Sequence, residues 1–172
     1  MTEPKDHQRD LSIIGNSVKI NIGKIKHIPA KVDTGASISS IWASDIHLTP
    51  DNQLEFSLFA PGYKLYTGER LTASEYKVLN VRNSTGQESI RYMVALSTTI
   101  KGRRIRITYT LADRSRNDFP VLIGRRALKG KFLVDVSKLD VKYASRPGNN
   151  ALNQELRADP QRFHQKYMKG QR

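Results

Sequence analysis

Short runs of alternating apolar and polar residues, separated by turn formers, recur along most of the chain. Val18-Lys19-Ile20-Asn21-Ile22 alternates at the two-residue period of a strand with one buried face. Ile25 to Val32 is a second, β-branched run, and Gly23-Lys24 between them fits a two-residue hairpin turn. The same reading predicts strands at Ile13-Ile14, Ser37–Ile41, Leu54–Phe59, Tyr76–Arg82, Ile90–Ser97, Arg104–Leu111, Phe119–Ile123 and Lys131–Val136. Asn83-Ser84-Thr85-Gly86 is a strong turn signal between two of these. A single short helix is expected over Arg125–Leu128. Many short strands with little helix predict an all-β fold, a closed and mainly antiparallel barrel or a sandwich.

The pattern changes near the C-terminus. Ser145-Arg146-Pro147-Gly148-Asn149-Asn150 reads as a linker, and Leu152, Leu156, Phe163 and Tyr167 then recur at helical spacing. Asp159-Pro160 marks a helix start, with Asp as N-cap and Pro at the first helical position. The expected organisation is a disordered arm over 1–11, one domain over 12–143, and a linker with a basic, helical tail over 144–172.

The candidate chemistry lies at the end of the Ile25–Val32 run, where the chain reads Asp33-Thr34-Gly35-Ala36-Ser37. Far downstream, Phe119-Pro120-Val121-Leu122-Ile123-Gly124-Arg125 ends another strand-like run. An Asp-Thr-Gly loop followed by an apolar-apolar-Gly-Arg stretch resembles the small, retroviral type of pepsin-like aspartic peptidase. Hydrolysing an amide without metal or covalent intermediate needs one group to take a proton from water and another to give one to the carbonyl. Two carboxyls about 3 Å apart do this by sharing a proton. The chain holds one such loop, so the expected second carboxyl is Asp33 of another copy, placed across a two-fold axis. In this reading Asp33 is the catalytic residue, with Thr34 and Gly35 as geometric supports. Ser37 is a donor to the outer oxygen of Asp33, and Ala36, Gly124 and Arg125 complete the supporting set.

The runs Lys31–Ser37, Val81–Gly86, Leu111–Ser115, Pro120–Leu128 and Phe132–Asp135 occur in the order of a known family. Over about residues 12–137 the chain resembles the retropepsin-like aspartic peptidase family of bacteria and archaea, whose members carry the label ATP-dependent zinc protease. The resemblance implies a closed acid-protease barrel with one short helix. It also implies a link to ATP-grasp ligases that add amino acids such as glutamate to protein tails or small molecules.

The zinc and ATP of that label find no counterpart in the residues. The histidines His7, His27, His47 and His164 are scattered, with no His-Glu-x-x-His, and no phosphate-cradling Gly-x-x-x-x-Gly-Lys-Ser/Thr occurs. The expectation is therefore no metal and no cofactor. In viral relatives an acid follows the Asp-Thr-Gly-Ala loop and pairs with the helix arginine. Here that position is Ser37, which leaves Asp113, Asp118 or Asp135 as partners for Arg125. The covering hairpin, or flap, is placed at Asn83–Gly86, with Tyr63–Gly68 as runner-up, and Trp42, Tyr63 and Tyr66 are assigned to packing.

Composition adds two points. The chain has no cysteine, which removes disulfides and thiolate chemistry, and no apolar run long enough to span a bilayer. With a polar N-terminus lacking a signal-peptide stretch, the expectation is a soluble, cytoplasmic protein. The formal net charge of +13 is concentrated, and Lys101 to Lys131 holds only Asp113 and Asp118 against its many Lys and Arg residues. Such a field attracts anions. The expected partner is a peptide substrate, acidic or glutamate-tailed, suited to the basic face around Arg103–Arg106 and Arg114–Arg116. Nucleic acid is a partner that charge permits but no motif supports. The leading reading is an aspartic endopeptidase active as a homodimer. The alternative is a retropepsin-shaped binding module for an acidic peptide or nucleic acid, with little hydrolytic activity.

Overall fold

The computed structural model describes residues 11–82, 86, 88–141 and 148–168. They fall into two compact units that divide after Val141. The first holds eleven strands and one helix: β1 (Ser12–Ile14), β2 (Ser17–Ile22), β3 (Ile25–Val32), β4 (Ser39–Leu48), β5 (Leu54–Leu58), β6 (Arg70–Ala73), β7 (Lys77–Arg82), β8 (Glu88–Ile100), β9 (Arg103–Ala112), β10 (Val121–Ile123), α1 (Arg125–Leu128) and β11 (Phe132–Val134).

The pairing sequence β10-β3-β2-β8-β9-β4 returns to β10 and closes a six-stranded barrel. Four of its six seams are antiparallel and two are parallel, β10 with β3 and β9 with β4. Alternation drives the closure. In β2, Val18, Ile20 and Ile22 face inward while Lys19 faces solvent. Ile28 and Ala30 of β3, Ile41 of β4, Ile100 of β8, Tyr109 of β9 and Val121 and Ile123 of β10 are fully buried with them. At roughly 1.5–3 kcal/mol for each large apolar side chain removed from water, this shared interior is the main stabilising term.

β5 and β6 extend the sheet from β4 outside the ring, and β7 folds onto β8 as a hairpin arm. Residues 83–85 and 87 lie outside the described residues, and with them most of the expected Asn83–Gly86 flap position. The runner-up, Tyr63–Gly68, belongs to a packed loop. Tyr63 stands 5.0 Å from Trp42 and 5.1 Å from Phe59, ring to ring, and Tyr66 packs on the core with them.

Several boundaries differ from the expected ones. The return strand after the Asp33 loop starts at Ser39 and runs to Leu48, because β9 and β5 flank it and supply partners along its length. The strand expected over Lys131–Val136 stops at Val134, where Asp135 accepts from the Ser137 amide and hydroxyl and turns the chain. β6, with half its residues exposed at the sheet edge, lacks the apolar density that marks a strand in sequence.

The second unit is a pair of helices, α2 (Gly148–Ala158) and α3 (Pro160–Tyr167). Asp159 caps α3 as expected, accepting from the Arg162 amide at 2.9 Å with Pro160 in the first turn. The expected linker is shorter than its composition suggested, since Gly148-Asn149-Asn150 opens α2. Phe163 and Tyr167 stack at 4.7 Å, and Glu155 of α2 accepts from Lys166 at 2.7 Å and from the Tyr167 hydroxyl at 3.0 Å.

One buried polar pair links the core to pH. The Tyr109 hydroxyl lies 3.0 Å from the Thr98 hydroxyl deep in the barrel, and burial pushes this phenol well above its ordinary value. An unfolded tyrosine ionises near about pH 10, so above that the unfolded chain sheds the proton first and stability falls as pH rises. Urea unfolding between pH 8 and 11 should show a steep alkaline loss that Tyr109→Phe flattens. The variant should also be less stable near neutrality by about 1 kcal/mol, the usual worth of one hydrogen bond. Equal alkaline slopes in the two proteins would remove Tyr109 as the cause.

Candidate active site

The two parallel seams decide where the Asp33 loop sits. β3 and β10 run side by side, with Val32 opposite Ile123, and leave the barrel at the same end. β3 becomes the Asp33 loop and β10 becomes Gly124 and α1. The Asp33 amide donates to the Ile123 carbonyl at 2.9 Å, which extends the ladder one residue into the loop.

From there the carboxylate is organised by its own loop. Oδ1 of Asp33 accepts from the Gly35 amide at 2.9 Å and the Ala36 amide at 3.1 Å. Two charge-assisted bonds to rigid backbone fix the side chain, and the carboxylate remains half-buried with Oδ2 outside this pair. Gly35 supplies one of these donors as expected. Its backbone is not in the left-handed region, however, and what it contributes is room, since a Cβ there would stand 3.2 Å from Oδ1. Thr34 is exposed at the loop.

The loop is held from below by the second motif. The Arg125 amide donates to the Ala36 carbonyl at 2.8 Å and the Arg126 amide to the Ser37 carbonyl at 3.2 Å. The Gly124 amide donates to Ser39 Oγ at 3.0 Å. A Cβ on Gly124 would lie 2.7 Å from the Ile38 carbonyl carbon, 2.8 Å from its oxygen and 3.0 Å from the Ala36 oxygen. Only glycine lets the two segments approach this closely.

Two expected roles come out differently. Ser37 joins the network through its carbonyl, while backbone amides hold Asp33. Arg125 supports the loop through its backbone amide, with its side chain exposed. Asp113 and Asp135, two of its suggested partners, are engaged instead by Ser115 and by Ser137 and Lys138.

A residue that sequence offered only as part of a basic surface, Arg114, belongs beside this loop. It follows β9, is half-buried, and donates through Nε to the Phe119 carbonyl at 3.1 Å. Burial lowers its tendency to hold a proton and the nearby Arg91 cation adds to this, while the Asp33 carboxylate opposes both. Arg91 comes from β8, opposite Leu79 in the hairpin arm. Three distant segments thus bring the Arg114 guanidinium into electrostatic range of both a second guanidinium and the Asp33 carboxylate, which no local pattern announces.

The zinc of the family label does not fit these residues. His47 comes within 3.4 Å of Glu55, but Arg70 stands 3.9 Å from both Glu55 and Asp45, so a cation already stands at this His-acid cluster. Among the described residues no three His, Asp or Glu side chains converge as a ligand set.

Comparison with known proteins sets this arrangement among relatives. The profile of the RimB-like family, described as the retropepsin-like aspartic endopeptidase RimB, matches residues 13–144. Two proteins named probable alpha-L-glutamate ligase, from Shewanella pealeana and Shewanella halifaxensis, are each 30% identical over 114 residues, which is 64% of this chain and 25% of theirs. The match therefore spans about a quarter of the length of these curated relatives. The crystal structure of a Legionella pneumophila protein of unknown function matches with a TM-score of 0.55 at 21% identity, over 78% of this chain and 98% of that one. That likeness is one of fold.

The close approach at Gly124 yields a direct test. Gly124→Ala forces backbone apart at the point where the Asp33 loop is held, and should cost about 2 kcal/mol in urea unfolding. An alanine variant of unchanged stability would mean that the loop and α1 are not locked together here.

Proposed function

Because the chain belongs to the RimB-like family of retropepsin-like aspartic endopeptidases, we propose that it hydrolyses peptide bonds with Asp33 as half of a catalytic pair. The observation that carries this reading is the Asp33 carboxylate itself. It is half-exposed, aimed by two loop amides, and locked onto Gly124 and α1. Such preorganisation suits a group that must hold a water and exchange protons without rearranging.

One carboxylate is insufficient, and the second comes from Asp33 of another copy. At close range both cannot ionise together, so the pair shares one proton. The ionised member takes a proton from the bound water as its oxygen attacks the carbonyl carbon, and the protonated member gives its proton to the carbonyl oxygen. The resulting tetrahedral species collapses by breaking the C–N bond. The carboxyl that took the water's proton gives it to the departing amine nitrogen, and the other carboxylate takes back a proton from the gem-diol as the new carboxyl group forms. Thr34 is exposed at the loop, and in this reading it bonds across the two-fold axis.

The barrel offers a surface for that dimer. β1 pairs with β11 in parallel register, Ile13 opposite Leu133, as a two-stranded sheet. Both of these side chains are 53% exposed, which means that they point away from the core as a matched apolar pair. Val136 and Leu139 extend the apolar surface. Open strand edges carrying apolar side chains invite a second chain.

The substrate proposed is an acidic peptide. Arg114 near Asp33, with Arg91 beside Arg114, favours carboxylate side chains beside the scissile bond. The relatives' ligase names tie a matching segment to glutamate addition, which suits a glutamate-tailed substrate. Ligase activity does not transfer, since the match spans a quarter of those proteins.

Asp33→Asn keeps the shape and the amide contacts but cannot accept a proton from water, so turnover should fall to background with unfolding unchanged. Retained turnover in this variant, lost on chelation and restored by zinc, would overturn the aspartic mechanism. Peptide binding without turnover in the parent would favour the binding-module reading.

Leu133→Asp places a charge in the apolar pair and should weaken self-association and activity together. Sedimentation across a concentration series, run beside the peptidase assay, tests this. A fully active monomer would remove the shared pair.

A further inference from the structure

We propose that the groove between the base of the β7–β8 hairpin and α1 is a remote docking site for acidic residues of the substrate, distinct from the Asp33 loop. The proposal rests on the peptidase reading above and extends it to a surface that the chemistry does not touch.

The groove is about 820 Å³. Its floor is aliphatic, built from Ile38, Val94, Ile107 and Ala127, with Val94, Ile107 and Ala127 buried. Its walls carry three exposed cations, Lys77, Arg106 and Arg126, against one carboxylate, Glu75. None of these three side chains makes an ion pair among the described residues. Some basic residues elsewhere are matched: Lys101 lies 2.8 Å from Asp140, and Arg82 pairs with Glu88. Uncompensated cations over an apolar floor suit a peptide with carboxylate side chains and aliphatic stems. A nucleic acid would use stacking rings, and Tyr76 is the one aromatic residue in the lining.

Position argues for substrate. Ile38 follows directly on Ala36 and Ser37, whose carbonyls α1 holds in place. Lys77 and Met93 face each other where the hairpin arm begins, and Ala95 faces Thr108 beside them. Ile38, the last residue of the segment that leads from Asp33, is thus part of the groove's lining, which connects the loop to the groove. Two demands are then separated. Arg114 acts on side chains next to the cut, and the groove reads acidity elsewhere on the substrate.

The test uses the full chain carrying Asp33→Asn, so that binding is measured without turnover. Fluorescence anisotropy compares a labelled peptide carrying a tetra-glutamate extension with its tetra-serine counterpart. The acidic peptide should bind more tightly, and Lys77→Glu with Arg106→Glu should cut the acidic-to-serine affinity ratio by about tenfold. In the active protein the same pair should raise KM for the acidic peptide more than it lowers kcat. An unchanged ratio, or no preference in the parent, overturns the proposal. So does a variant that loses binding of a single-stranded oligonucleotide while keeping the acidic preference. If Asp33→Asn instead retains turnover, the aspartic mechanism fails, while the affinity ratio still decides the groove.

Discussion

The parallel pairing of β10 with β3 is the constraint on which the candidate site depends. An antiparallel return would send the two strands out of opposite ends of the barrel and separate the Asp33 loop from Gly124. Parallel register puts Val32 beside Ile123, and the next residues of both chains emerge together. Each then completes the other: Ile123 accepts from Asp33, and Ala36 accepts from Arg125. Parallel neighbours cannot be joined by a tight hairpin. β4 through β9 lie between them in sequence, so the site is assembled only when the ring closes.

That dependence explains what sequence could and could not tell. The β2–β3 hairpin was legible because its turn, Gly23-Lys24, and its alternation are local. Asp33 and Gly124 were legible as a pair because each ends an apolar run with a residue type that packing there demands. The α1 helix and the Asp159 cap were likewise local signals. What sequence missed is set by distant partners. β8 runs from Glu88 to Ile100, well beyond the Ile90–Ser97 expected, because β7 pairs with its first half and β2 and β9 with its second. The role of Arg114 depends on β8, the β3–β4 loop and the stretch before β10 meeting in space. No spacing rule contains that information. The support from Arg125 was misassigned to its side chain because a backbone amide leaves no mark in the sequence.

The loop's rigidity and its exposure belong to the same design problem. Both Asp33 amide bonds are made by backbone within three residues, so the carboxylate is aimed without help from any other side chain. The surrounding surface is thereby left open to a partner and a peptide. In the proposed dimer the second carboxyl arrives already aimed, because it is an identical loop under identical restraint. Association would then need to bring two rigid parts together without ordering either, which lowers the entropic cost of forming the pair.

Charge acts in the same selective way. A net charge of +13 suggests a general affinity for anions, yet at physiological salt a field fades over about 8 Å. Charges far from a bound peptide contribute mainly to the rate of encounter. Several of the strongest candidates are also neutralised where they stand, Lys101 by Asp140, Lys138 by Asp135 and Lys166 by Glu155. Of those left, the ones beside the candidate site and the groove are set by the fold. Arg114 lies in electrostatic range of both Asp33 and Arg91, and Lys77, Arg106 and Arg126 border the groove. Recognition of an acidic chain would thus be decided by five residues drawn from three strands, a loop and a short helix, and composition alone overstates the surface available for it.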